Sequence, residues 1–211
     1  MFARSVRVST DSETHLSYID LARRVRAHLD QEHRYAHVVR VARCAEMLAL
    51  RHGLDSRKAR LAGMLHDLAR LYTGERLIGE CEMRGLMIDA FERSHPIVLH
   101  ARIGACIAQE AFAVHDPQVL SAIEKHTTAA AEMSPLDCAV FLADGLEPGR
   151  DFPERAHLMR TAERSLADGM RATLEQSLRY LQKKGIPVAP QTAAAAKSFG
   201  VIPQEVSTSL N

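Results

Sequence analysis

The chain has 211 residues, enough for one domain with a substantial core, and its 46% hydrophobic and 25% charged residues mark a globular protein. A formal net charge of +1 argues against a nucleic-acid binder or a membrane-surface protein, and no apolar run approaches the roughly 18 residues a membrane span needs. Cys44, Cys81, Cys106 and Cys138 are far apart and form no CxxC pair, which fits reduced core residues of a cytoplasmic protein.

Residues 1–14 are polar, lack a signal-peptide core and read as a flexible tail. Abundant Ala, Leu and Arg favour helix, and no strand alternation or repeat is present. The first helix is expected over Leu16–Leu29 and the second over His33–Arg51, with Gly53 as its stop. Asp55 or Ser56 caps a third, expected to run to Leu71. Two short amphipathic pieces follow, at Glu75–Met83 and Met87–Phe91. Ser94-His95-Pro96 reads as the start of a helix reaching Phe112. Asp116-Pro117 opens a helix to His126, and Ser134-Pro135 one that ends before Pro148. A single long amphipathic stretch is expected from Pro153 to Lys184, stopped by Gly185 and Pro187. The run Ala193–Ala196 predicts a last helix.

Several polar residues sit in these helices where burial is expected. His37 shares a face with Val41, Cys44 and Leu48. His66-Asp67 interrupts the apolar run Leu61–Ala69, where an ionised carboxylate is costly unless paired or metal-bound. Ala59, Ala62 and Gly63, one and two turns back, let a neighbouring helix approach and deliver further ligands. His100 lies beside small residues, His126 closes Ala122–Thr127, and Asp144 is the only charge in Cys138–Asp144. Each has a plain reading as a satisfied core or capping residue. Together they place four imidazoles and two carboxylates on successive helices, a set suited to divalent iron, manganese or zinc. Adjacent residues on a helix point about 100° apart, so His66 can bind one metal while Asp67 bridges two. Two divalent cations against two carboxylates and one hydroxide leave a net positive charge that attracts phosphate.

The ordered set His37, His66-Asp67, His100, His126 and Asp144 resembles the HD-domain superfamily of metal-dependent phosphohydrolases, and within it the YqeK-type hydrolases. The resemblance is carried by His33–His37, His66–Arg70, His95-Pro96 with His100-Ala101 and Gly104-Ala105, His126-Thr127, and Ala143–Arg150. It implies an all-α HD-domain helical bundle over residues 15–188, with 189–211 as a C-terminal extension. It further implies symmetrical hydrolysis of diadenosine tetraphosphate to two ADP at a centre of two divalent metals, iron first and manganese second. The six residues would bind the metals, and Arg70 and Arg150 would contact phosphate. Position 70 is Arg where the family more often has Lys. The implied mechanism is in-line attack by a metal-bridging hydroxide on phosphorus, with Asp67 as the bridge and Arg70 and Arg150 stabilising developing charge. His95, near a helix N-terminus, together with Arg34 and Lys125, is a candidate substrate contact. For His95 a simple capping role is an equal reading, and Arg34 and Lys125 are more often plain solvated charges. The implied partner is a dinucleoside polyphosphate, with no nucleic acid and no membrane, and a homodimer stays open. Three other readings remain at this stage: the same site acting on another nucleotide, a di-iron oxygenase, and a nucleotide-binding protein without catalysis.

Overall fold

The computed structural model describes residues 18–201, and the expected tail at 1–14 lies outside them. Among the described residues there are eleven α-helices, one short 3-10 helix and no strand, so the all-α expectation holds. The α-helices are α1 (Tyr18–Leu29), α2 (Glu32–Arg51), α3 (Ser56–Leu65), α4 (Gly74–Met83), α5 (Ala90–Ser94), α6 (His100–Phe112), α7 (Pro117–Lys125), α8 (Pro135–Leu146), α9 (Arg155–Arg164), α10 (Leu166–Lys184) and α11 (Pro190–Ser198). The 3-10 helix, Pro96–Leu99, leads into α6.

The helix starts are dictated locally. Asp55, Asp116 and Ser134 each accept hydrogen bonds from backbone N–H groups in the first turn of the helix they precede. Such caps contribute about 1 kcal/mol each. Ser134 with Asp137, and Asp89 with Glu92, complete reciprocal capping boxes. Pro at the first position of α7, α8 and α11 adds a pre-set backbone angle where no N–H is required.

The centre of the bundle is the packing of α2, α3, α7 and α8. Val38, Val41, Ala42, Ala45 and Leu48 on α2 face Ala59, Ala62, Met64 and Leu65 on α3, all buried. Ile123 from α7 and Val140, Leu142 and Leu146 from α8 close the core. Each buried large aliphatic side chain contributes roughly 1.5–3 kcal/mol of transfer free energy. α1 covers α2 and α3, α9 and α10 flank α8, and α4 with the 3-10 helix packs beside α6. Cys44, Cys81 and Cys138 are buried, Cys106 is half-buried, and all four are free thiols.

Four boundaries differ from expectation. α3 stops at Leu65 rather than Leu71, and residues 66–71 form successive turns, with Arg70 N–H on the Asp67 carbonyl at 3.0 Å. Side chains compete for the carbonyls there: the His66 ring takes that of Gly63 and the His28 ring that of Leu68, each at 2.8 Å. Of the expected piece Met87–Phe91, residues 87–89 are not helical; Asp89 caps a short helix that begins at Ala90. Pro96 opens the 3-10 helix, and the α-helix begins at His100. The stretch 153–184 is two helices, because Ser165 is extended and caps α10 through Asp168 N–H. The signal for that break, Ser165-x-x-Asp168, lay in the sequence.

Candidate metal centre

His37 lies inside α2 and is 7% exposed, so its ring enters the site from the helix wall. His66 and His126 directly follow the last residues of α3 and α7, and His100 follows the 3-10 helix. At these three positions the ring folds back and its Nδ1–H donates to the carbonyl three residues earlier. The partners are Gly63 at 2.8 Å, Ile123 at 2.7 Å and Ile97 at 2.5 Å. His37 instead donates Nδ1–H to the Glu147 carboxylate at 3.0 Å. With Nδ1 as the donor, the Nε2 of a neutral ring presents its lone pair, the form a metal requires; His37 alone, with Nε2 3.1 Å from Asp144 Oδ1, is held above the ordinary imidazole value by Asp144 and Glu147 against burial.

These lone pairs converge on two carboxylates. Asp67 Oδ2 is 3.8 Å from His37 Nε2 and 3.7 Å from His66 Nε2. Its other oxygen, Oδ1, is 3.3 Å from His100 Nε2 and 3.8 Å from His126 Nε2. Asp144 Oδ1 lies 3.1 Å from His37 Nε2 and 3.7 Å from His66 Nε2. Asp67 therefore offers one oxygen to His37 and His66 and the other to His100 and His126, while His66, His126 and Asp144 also lie together across the two pairs. The triads His37, His66, Asp67 and Asp67, His100, His126 each gather their ligand atoms within 4.8 Å, as does His66, His126, Asp144.

The donor set fits divalent metal. His66 Nε2 is fully buried with no hydrogen-bond partner, a costly state for an isolated imidazole nitrogen. The Nε2 atoms of His100 and His126 face each other at 3.2 Å with both Nδ1 protons engaged elsewhere. Two nitrogens about 2.1 Å from one metal and ~100° apart would have that separation. The Thr127 hydroxyl is 3.1 and 3.0 Å from these same nitrogens but can donate to only one at a time.

The charges are consistent with this reading. Burial would raise the Asp67 carboxyl, but the surrounding His66, His100 and His126 hold it below the usual carboxylate range. Asp144 is likewise held well below, against burial, by His37, His66, His126 and Arg150. Burial, with His66 and His100 alongside, pushes His126 down to about 3, so it stays neutral and able to ligate.

The six expected ligands are brought together, and two of the expected phosphate contacts stand beside them. Arg34, one turn before His37, has Nη1 3.8 Å from Asp67 Oδ2, and its Nε is buried without a partner. Arg150 follows α8 in a turn, with Nη2 2.5 Å from Asp144 Oδ1 and Nε 2.9 Å from the Asp144 carbonyl. Arg70 lies three residues after Asp67, and its guanidinium has no hydrogen bond or ion pair among the described residues. The other two candidates are engaged elsewhere. Lys125 Nζ bonds the buried Asp137 at 3.1 Å and the Glu132 carbonyl at 2.9 Å. The His95 ring stacks on Phe91 at 4.4 Å, with Nδ1 near Ser94 and the Phe91 carbonyl. Glu147 and Thr127 lie in the motifs that carry the resemblance but were given no role from sequence, and Arg40 was not singled out. A usable signal existed for two of them: Glu147 is one turn from Asp144, and Arg40 one turn from His37.

A helical bundle that converges four imidazoles and two carboxylates from five segments has the construction of a metal-dependent hydrolase. The family described as HD domain matches residues 34–149, more than half of the chain, and the chain belongs to that family. It is 34% identical to the symmetrical bis(5'-nucleosyl)-tetraphosphatase of Bacillus subtilis, over 76% of this chain and 86% of that protein. The protein of the same name from Halalkalibacterium halodurans is 35% identical over 81% of this chain and 90% of its own length. Among solved structures, a predicted HD superfamily hydrolase involved in NAD metabolism from Clostridium acetobutylicum superposes with a TM-score of 0.83 at 29% identity, covering 87% of this chain and 97% of its own. Among the described residues, no helix is long and apolar enough to cross a membrane.

Proposed function

We propose that this chain hydrolyses diadenosine tetraphosphate symmetrically, giving two ADP, at a centre of two divalent metals. The observation that carries the reading is the split of Asp67, one oxygen toward His37 and His66 and the other toward His100 and His126. The relatives' names supply the substrate. His37, His66, Asp67 and Asp144 would hold one metal, and Asp67, His100 and His126 the other. Iron stands first and manganese second on the family resemblance. When bound, the metals supply an acidified water for in-line attack on phosphorus and a Lewis acid for a phosphoryl oxygen.

The protein's own residues do the rest. Asp67 and Asp144 stay ionised through the neighbouring imidazoles, so they compensate the cations without a proton to lose. Arg34, Arg70 and Arg150 form a cationic flank for the polyphosphate. A guanidinium can grip two phosphate oxygens at once, which suits charge spread along a chain of phosphates. Symmetric cleavage breaks the bond between the two central phosphates and requires the flank to hold two phosphates on the departing side. Arg150 now rests on the Asp144 carboxylate; with Asp144 holding a metal, its guanidinium would be free to hold a phosphate.

The test is product analysis with purified full-length chain. Diadenosine tetraphosphate, ATP, a cyclic dinucleotide and p-nitrophenyl phosphate are incubated without oxygen, with and without chelator and added iron or manganese. We expect ADP alone from diadenosine tetraphosphate, lost on chelation and restored by metal. AMP with ATP as products, a requirement for oxygen, or turnover that survives complete metal removal would refute the reading.

A further inference from the structure

One ligand is held differently from the rest. His66, His100 and His126 rest their Nδ1–H on backbone carbonyls, whereas His37 rests its own on a carboxylate, Glu147 Oε1, at 3.0 Å. The reason is position. His37 lies within α2, where the carbonyl groups serve the helical ladder, so its second partner must come from another element.

Glu147 is the residue after α8, and its side chain is 1% exposed. A carboxylate so buried needs compensation. Arg40, one turn beyond His37, supplies it with Nε 2.6 Å from Oε2 and Nη2 3.1 Å from Oε1. The Gly149 N–H donates to the same Oε2. Gly149 also makes the space: a Cβ there would lie 2.5, 2.6 and 2.7 Å from Nη2, Nε and Cζ of Arg40. Any side chain at 149 would force the guanidinium off the carboxylate.

We propose that Glu147, clamped by Arg40 in the space left by Gly149, is a positioning residue that fixes the orientation and donor strength of His37 and makes the two metal positions unequal. Glu147 touches neither metal nor substrate. It acts through the His37 ring: a hydrogen bond to an ionised acceptor is stronger than one to a carbonyl, so Nε2 becomes a better donor. The position served by His37 and His66 thus gains an affinity that the position served by His100 and His126 does not. The inference rests on the two-metal reading and deepens it.

The experiment uses the full chain, stripped with chelator and titrated with Co2+ by calorimetry and visible absorption. Wild type should bind two ions in separable steps. Glu147→Gln keeps the shape and removes the charge. It should weaken one step by about 10- to 100-fold, the usual loss for a ligand's hydrogen-bond partner. It should also shift the absorption band of that step and leave the other within about threefold. Gly149→Ala should weaken the same step by a smaller factor, because it displaces only Arg40. Equal weakening of both steps, or of neither, in Glu147→Gln would overturn the proposal, since a general structural role does not choose between sites. If Glu147→Gln does not fold, Gly149→Ala decides alone: selective weakening supports the proposal, and unchanged or parallel steps overturn it. Fewer than two ions on wild type would instead refute the two-metal reading, and this inference with it.

Discussion

Gly63→Ala tests how the centre depends on helix spacing. A Cβ at position 63 would meet Ala42 Cα at 2.8 Å, Ala42 N at 3.0 Å and Val41 C at 3.2 Å. These atoms are backbone, so no side chain can swing aside. Ordinary carbon contacts are about 3.5–4.0 Å, so α2 and α3 must part locally by ~0.7–1.2 Å. Overpacking of this kind costs about 1–3 kcal/mol, offset by roughly 0.8–1 kcal/mol from replacing glycine within a helix. The net loss of stability is therefore small, about 0–2 kcal/mol. The effect on chemistry is larger. His37 rides on α2, and His66 follows α3 with its ring on the Gly63 carbonyl, so the separation opens one half of the ligand set. A misplacement near 1 Å costs up to ~100-fold in rate. We expect kcat/KM for diadenosine tetraphosphate to fall about 10- to 100-fold, with weaker binding of one metal and a melting temperature only a few degrees lower. Gly79→Ala is the control: it meets nothing within 4 Å on α4 and should be neutral or slightly stabilising. Wild-type turnover and metal content in Gly63→Ala would refute the spacing argument.

Asp67→Asn, nearly isosteric but uncharged, should lose most activity and loosen both metals, as measured by elemental analysis after gel filtration; loss of one metal alone would remove the bridging role. Arg150→Ala should keep its metals and melting temperature while catalytic efficiency falls roughly 10- to 1000-fold, with Arg150→Lys recovering only part, by steady-state ADP release. Lys125→Ala should lower stability by about 1–3 kcal/mol, because Asp137 is left buried without its cation, and leave KM within about twofold. A tenfold rise in its KM at unchanged stability would assign Lys125 to substrate after all.

The candidate ligands were legible because ionisable residues in apolar helical runs conflict with burial, and His66-Asp67 and Asp144 conflict most openly. Gly63 was legible too, as a small residue beside the pair, although its contact with Ala42 needed coordinates. What escaped were the supports. Glu147 and Arg40 form their bond across more than a hundred residues of chain, and neither conflicts with its local sequence. Lys125 and His95 present the converse case. A basic side chain near the motif suggests phosphate, yet Asp137 and Phe91 lie close enough to occupy these two first. The end of α3 at Leu65 was hidden because Leu61–Leu71 reads as one continuous helix. Only the ring-to-carbonyl bonds of His66 and His28 show why the ladder gives way.

The places where helices stop also give the site a polarity. α3 ends at Leu65 and α7 at Lys125, each one residue before a candidate ligand, while α6 starts on another, His100. Helix macrodipoles place about half a negative charge at each C-terminus and half a positive charge at each N-terminus. Two negative poles and one positive pole therefore meet in one small volume, superposed on the carboxylates. The backbone alone favours cations beside His66 and His126 and an anion toward the start of α6. A polyphosphate laid over the metals would meet a field with a built-in direction, set by helix ends rather than by any side chain that mutation could remove.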